Sequence, residues 1–464
     1  MNNTYFDLVD QTFYFPQEGF SLDEQQRLLF HGIPLFELIQ KYGTPLKISY
    51  LPKISAQISK AHQLFDTAIA NNNYKGAYYY TYCTKSSHFK YVLDEVLQNI
   101  TQLETSSSFD IDLIWKLYHT GKINKNAIVI NNGYKPDHYA KKISDLIDNG
   151  FKNVIPVLDN TEELALYEKY IQKNHVNIGL RIATEEEPNF EFYTSRLGIR
   201  HSTAIDFYKE RIANNPKFKL KMLHFFVDTG IKDTIYYWSE LKKGLKFYCQ
   251  LKKICPELNS LNIGGGLPVR NSLSFEYDYA YMINEIVRLI KDACGSEGIP
   301  EPDIFTEFGK FTVGESGATI YSVIGQKQQN DAETWYMIDN SLMTTIPDAW
   351  GIGERFILLP INHWNKEYLR VNIGGLSCDN QDYYNSEAHH NEVYLPKLNG
   401  EPLYVGFFHT GAYQDALSGF GGIKHCLIPS PKHILVDKNV RGEFVDWMVV
   451  PEQEASAMLK ILGY

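Results

Sequence analysis

Eight short β-branched or aromatic runs, each followed by residues at helical spacing, occupy the chain before residue 310. The runs lie at 76–83, 101–105, 127–131, 153–158, 177–183, 219–227, 259–263 and 303–307. Amphipathic stretches such as 86–98, 136–149, 160–174, 236–254 and 278–297 separate them. That count is the count of a (β/α)8 TIM-like barrel, and a doubly wound open sheet shows the same alternation. Beyond 310 the rhythm stops. Strand-like runs without long helices follow at 317–324, 334–338, 368–374, 403–408, 424–428 and 433–436. They predict a mostly β C-terminal domain over 311–464, with the N-terminal segment 1–49 packed against it and the barrel over 50–310.

Composition narrows the partners. Apolar residues make up 44% and charged residues 22%, the balance of a packed domain. With 45 basic against 55 acidic residues the net charge is −10, which argues against nucleic acid and anionic membrane surfaces. No run approaches the ~20 apolar residues of a membrane span. The start, MNNTYFDLVD, carries acids and no apolar core, so it does not read as a signal peptide. Six cysteines without a CxxC pair fit reduced thiols in a cytoplasmic enzyme.

Barrel chemistry sits at the C-terminal strand ends, with phosphate commonly held after strands seven and eight. Several reactive residues fall there. Lys85, in YTYCTKSSHF, follows the first run; it fits a solvated surface lysine or a partly desolvated amine suited to a Schiff base. Glu104 closes the second run, Arg181 lies in the fifth, and His224 to Thr229 close the sixth. Gly264, Gly265 and Gly266, in NIGGGLP, follow the seventh and fit either a tight turn or a set of bare amides for an anion. Glu307 ends the eighth, where a buried ion pair competes with a carboxylate that keeps a pyridine nitrogen protonated. Cys378 and Asp379 follow a β run in the second domain, where a lone cysteine is ordinarily core. The adjacent His389 and His390 read as a solvated loop, and no metal is expected. An amine, a phosphate-type loop and a terminal acid together are what pyridoxal 5'-phosphate requires.

From about residue 40 onward the chain resembles the fold-type III pyridoxal-phosphate decarboxylases that act on ornithine, diaminopimelate and arginine. The motifs behind the likeness are GLRI at 179–182, SRLG at 195–198, GGG at 264–266, TEFGK at 306–310, SCD at 377–379 and GAYQ at 411–414. PDAWGI at 347–352 and GFFHTGAYQ at 406–414 favour the biosynthetic arginine branch. The resemblance implies an alanine-racemase-like barrel and decarboxylation of L-arginine to agmatine and carbon dioxide, which feeds polyamine synthesis. It implies that Lys85 forms the Schiff base with the cofactor and that Cys378 donates the proton to the product. Glu104, Arg181, Phe226, Thr229, Gly264 to Gly266, Glu307, Lys310 and Tyr413 would surround the cofactor. It also implies a head-to-tail homodimer with shared sites, in which Asp379, and Asp382 or Asp348, meets the distal cation of the substrate.

Departures from the family pattern are specific. Phe226 stands where a histidine usually stacks on the cofactor ring, Asp228-Thr229 replaces Gly-Ser, and Lys310 replaces an arginine. Gln381 takes the last acid position of the arginine-type CDSD motif, with Asp382 next in line. The chain has no room for the inserted helical domain of many arginine decarboxylases. The same core would serve a decarboxylase of ornithine, lysine or diaminopimelate, and Phe226 also fits a non-catalytic cofactor-binding homologue.

Overall fold

The computed structural model of this chain describes residues 15–185, 195–388 and 391–464. Its contacts divide into two units. One comprises Ser55–Pro268 and Tyr277–Thr312; the other takes in the described chain up to Ile54, with Val269–Glu276 and Val313–Tyr464.

In the first unit the eight expected runs are the strands β1 (Tyr78–Cys83), β2 (Gln102–Thr105), β3 (Ile128–Asn131), β4 (Asn153–Leu158), β5 (Val176–Arg181), β6 (Phe218–His224), β7 (Ser260–Asn262) and β8 (Asp303–Glu307). They form a closed barrel. Closure is made by β8 lying parallel to β1, from Ile304 beside Tyr78 to Glu307 beside Thr81, which removes the open-sheet alternative. Strands covered on both faces read as unbroken apolar runs; in β4 every residue after Asn153 is buried. Ile130, Ile155, Val157, Met222 and Phe305 come from opposite strands into one cluster, so they fill the interior. Tyr79 and Phe305 stack there at 4.5 Å between ring centroids.

Polar side chains start the outer helices where the apolar runs stop. Ser107 accepts from the Asp110 amide while Asp110 reaches back, a capping box that opens Ser108–His119. Thr234 and Asp278 cap Ile235–Ile254 and Tyr279–Glu297 by accepting the amides of Tyr237 and Tyr281.

The second unit is mostly β. Its ten-stranded sheet places Leu46–Tyr50 between two C-terminal strands, antiparallel to Gly317–Gln328 and parallel to Lys432–Lys438. The expected runs at 317–324, 334–338, 368–374, 403–408 and 433–436 all lie in strands of this unit. The run at 424–428 does not. His425–Leu427 is a single 3-10 turn, because Cys426 and Leu427 take left-handed backbone angles that no strand accepts. His389 and His390 lie outside the described residues. Among the described residues no helix is long and apolar enough to cross a membrane.

This unit also buries charge. Glu315 lies 3.0 Å from the Lys53 amine. Burial pushes its carboxyl up, but the charges of His409 and Lys53 more than offset that and hold it at about 2, against an ordinary 4.5. Its stabilising contribution is therefore complete above the unfolded value and is lost as pH falls towards the folded one. Urea unfolding should show the parent losing more stability than Glu315→Gln between about pH 5 and about pH 3. Equal losses would mean that Glu315 contributes nothing to the acid limb.

Candidate active site at the barrel rim

The strands of a parallel barrel deliver their last residues to one rim. Lys85 sits two residues past β1, in the 3-10 turn Thr84–Ser86. Hydrogen bonds from Thr84 Oγ1 to the Glu104 carbonyl (3.0 Å) and from Ser86 Oγ to the Cys83 carbonyl (2.7 Å) fix that turn. The Lys85 amine donates to Glu104 Oε2 at 2.8 Å, and Ser106 Oγ donates to Glu104 Oε1 at 2.8 Å. Glu104 is fully buried, whereas the lysine side chain is 43% exposed, so the amine is anchored and still reachable.

Glu307 ends β8 as a buried carboxylate. Asn132 Nδ2 and Asn262 Nδ2 donate to its Oε1 at 2.8 and 2.6 Å. His224 Nε2 stands 3.3 Å from Oε2, at ion-pair distance but without the alignment of a hydrogen bond. Burial alone would raise this carboxyl. The His224 imidazole, the Lys85 charge and the Asn132 amide outweigh burial and hold it well below the usual carboxylate range. An anion kept ionised this far inside suits a partner that carries its own proton on nitrogen.

Asn262 also fixes the glycine loop. Its Oδ1 accepts the Gly264 amide at 2.9 Å, which ties that loop to the Glu307 carboxylate. Gly264 has φ of 71°, which favours glycine. At Gly265 a Cβ would stand 2.3 Å from the Glu307 carbonyl oxygen, so only a bare backbone fits. Among the described residues the amides of Gly265 and Gly266 donate to no protein acceptor. Nearby in sequence to Phe226, the Thr229 hydroxyl is buried without a partner. Arg181, the last residue of β5, is buried with Nε unpartnered, and its Cζ lies 6.0 Å from the Phe226 ring centroid. Burial draws the Arg181 pKa below its ordinary value, opposed by Asp159, Glu307 and Glu104. Lys310 opens the short helix Lys310–Val313. Unsatisfied buried polar groups are costly unless something fills them. A molecule with a phosphate, a carbonyl carbon and a basic ring nitrogen would answer the free amides and hydroxyl, the amine and the carboxylate in turn.

The fold therefore brings Lys85, Glu104 and Ser106 into one group, Glu307, His224, Asn132, Asn262 and the glycines into another, and Arg181 beside Phe226. Asn132, Asn262 and Ser106 are additions to the expected set, and His224, expected at the rim without a role, faces Glu307. Their one sequence signal is position: each is a polar residue at or just past the end of an apolar strand.

The remaining expected residues belong to the β unit. Tyr413, at φ of 67°, precedes the turn Gln414–Leu417. Gln414 Nε2 donates to Asp348 Oδ2 at 2.8 Å, and Asp348 is buried. Cys378 is exposed, with Sγ 3.5 Å from Cys426 Sγ. Asp379 Oδ1 accepts the Gln381 amide at 2.8 Å. Asp382 is buried and accepts backbone amides from Leu342 (2.8 Å), Met343 (3.2 Å) and Ser377 (3.0 Å). Its carboxylate is spent on holding two loops together.

The family profile described as "Pyridoxal-dependent decarboxylase, pyridoxal binding domain" matches residues 55–314. A biosynthetic arginine decarboxylase from Prochlorococcus marinus (strain MIT 9215) is 22% identical over 93% of this chain and 85% of its own. Among solved structures, the biosynthetic arginine decarboxylase from Campylobacter jejuni has a TM-score of 0.81 at 20% identity, covering 97% of this chain and 89% of that one. Diaminopimelate decarboxylase from M. jannaschi has a TM-score of 0.77 at 14% identity, covering 96% and 98%. Both structures share the barrel with a following β domain. Replacing Gly265 with alanine should weaken retention of pyridoxal phosphate about tenfold or more, read by absorbance on titrating the cofactor into apo-protein. Unchanged retention would mean that the loop gives way to the added carbon.

Proposed function

The chain belongs to the pyridoxal-dependent decarboxylases, and on that premise we propose that it converts L-arginine to agmatine and carbon dioxide, supplying polyamine synthesis. The observation that carries the reaction class is the rim itself, where an anchored amine, bare glycine amides and an ionised buried carboxylate occur on one barrel. The substrate rests on PDAWGI and GFFHTGAYQ and on the arginine decarboxylases that the chain resembles along nearly its whole length. We assign the cofactor to the barrel, residues 50–310, and assign completion of the site to the β domain, 311–464 with segment 1–49.

Bound at this rim, pyridoxal phosphate would supply the electron sink that decarboxylation needs. Lys85 provides the covalent attachment; Glu104, 2.8 Å away, takes or returns the Nζ proton as the amine binds and releases. The Gly265 and Gly266 amides and the Thr229 hydroxyl would hold the phosphate, Gly264 would shape the loop through its bond to Asn262, and Lys310 and Tyr413 would add to the cofactor pocket. Glu307, fixed by Asn132, Asn262 and His224, keeps a proton on the ring nitrogen and so preserves the sink. Phe226 offers a ring face for stacking, and Arg181 lies behind it. A guanidinium favours a carboxylate with free oxygens. Asp379 meets that need better than Asp382, whose oxygens take three backbone amides, or Asp348, which holds Gln414.

Cys378 then gives its proton to Cα. In this reading two protomers pair head to tail, and Cys378 and Asp379 of one serve the barrel of the other. Leu376, Tyr383, Phe420, Ile423 and Leu427, all exposed apolar residues of the β unit, support an interface there. Six unpaired cysteines support a cytoplasmic location. A second reading, an ornithine, lysine or diaminopimelate decarboxylase, is favoured by Gln381 in place of an acid.

Purified protein loaded with pyridoxal phosphate should be offered arginine, ornithine, lysine and diaminopimelate separately, with products read by mass spectrometry. Agmatine alone is expected. Putrescine, cadaverine or lysine would keep the chemistry and move the substrate, and no product from any of the four would overturn catalysis of this kind. Asp379→Ala should raise KM for arginine about tenfold or more, the scale of a lost charge-assisted hydrogen bond. An unchanged KM would remove Asp379 from the substrate's distal end.

A further inference from the structure

The sequence carries no metal-binding spacing, yet folding assembles one. Cys378 and Cys426 are 48 positions apart, and their sulfur atoms stand 3.5 Å from each other. His425 adds a ring nitrogen, and the three ligand atoms all lie within 4.8 Å of one another. Adjacent residues of an extended chain face opposite ways. Here the left-handed turn at Cys426 and Leu427, each at φ of 54°, lets His425 and Cys426 serve one point. Such angles are rare at non-glycine residues and gather at functional positions. A fourth donor is at hand: Asp379 Oδ2 is 3.8 Å from His425 Nε2. Cys378, His425 and Cys426 are exposed on the single chain, and in the paired reading above an ion would reach them by the substrate's own route to Cys378.

Two sulfurs, an imidazole and a carboxylate suit a borderline-soft divalent cation, and zinc takes such sets in tetrahedral geometry. With bonds of ~2.3 Å to sulfur and ~2.0 Å to nitrogen, ligand atoms around zinc stand about 3.4–3.8 Å apart. The sulfur separation of 3.5 Å is close to the ~3.8 Å of two such sulfurs, the imidazole lies within 4.8 Å of both, and the Asp379 carboxylate, near the imidazole, would swing in to complete the set. We propose that Cys378, His425 and Cys426, with Asp379 as fourth ligand, form a binding site for a thiophilic divalent cation of the zinc type. The consequence for turnover rests on the function proposed above: a cation held by Cys378 takes away the thiol that protonates the product, so the ion acts as an inhibitor.

The test uses the full-length, pyridoxal-phosphate-loaded protein in a phosphine reductant, which keeps the two sulfurs from joining as a disulfide. Titrated with Co2+, it should bind about one ion per chain with the intense visible bands of a tetrahedral thiolate site, and Zn2+ should displace them. The bands should vanish in Cys426→Ser and in His425→Ala, with bound cofactor absorbance unchanged as the measure of folding. X-ray absorption of the zinc-loaded protein should report two sulfur ligands. No visible bands, the same bands in both variants, or fewer than two sulfurs would overturn the site. In the decarboxylase assay, the fall in rate on adding zinc should disappear in Cys426→Ser. Cobalt bands with an undiminished rate would keep the site and count against Cys378 as the proton donor.

Discussion

A single carboxylate at the seam where the barrel closes organises the rim. Glu307 ends β8, the strand that pairs back onto β1, so its backbone completes the closed ring while its side chain turns into the site. An ion at that depth would not stay charged unless its surroundings repaid the loss of water. Asn132 from the end of β3, Asn262 from β7 and His224 from β6 converge to do so. Asn262 passes the constraint on to the glycine loop through the Gly264 amide. The position of the glycine loop and the charge state of the acid are thus set by the same few contacts.

The rim also carries a standing deficit. The Thr229 hydroxyl, Arg181 Nε and His224 Nδ1 are buried without a hydrogen bond. Groups like these weaken a fold by roughly 1–3 kcal/mol each when nothing answers them. A ligand that satisfies several of them at once binds the folded chain and not the unfolded one, and so stabilises it by mass action. Occupancy and stability are linked at this end of the barrel.

Much of this was legible in the sequence because parallel strands buried on both faces leave unmistakable apolar runs. All eight barrel strands fall where those runs are, and Lys85, Glu104, Arg181 and Glu307 sit at or beside their C-terminal ends. The β unit was harder. ILLP at 357–360 is a strand whose neighbour, Leu403–Phe408, comes from a distant chain segment, and FVDWMVV at 444–450 is an edge strand in a hairpin with Lys432–Lys438 that buries none of its residues, so an apolar run sets neither apart. HCLI at 425–428 has the composition of a strand, but its backbone turns left-handed. Asn132 and Asn262 look like any polar residue after a strand until Glu307 is placed between them. The meeting of Cys378 with Cys426 depends on loops 48 positions apart and has no local signature at all.

The strand Leu46–Tyr50 carries a consequence for how the chain is made. It leaves the ribosome before the barrel, but its partners Gly317–Ile320 and Lys432–Val436 follow only after the whole barrel has been synthesised. Pairings at such separation form late, because a long loop must close before they return any energy. Until then an unpaired hydrophobic strand, with Leu46, Ile48 and Tyr50 destined for burial, waits ahead of the barrel. The barrel sequence is available to fold first, and the β unit completes its sheet only after it.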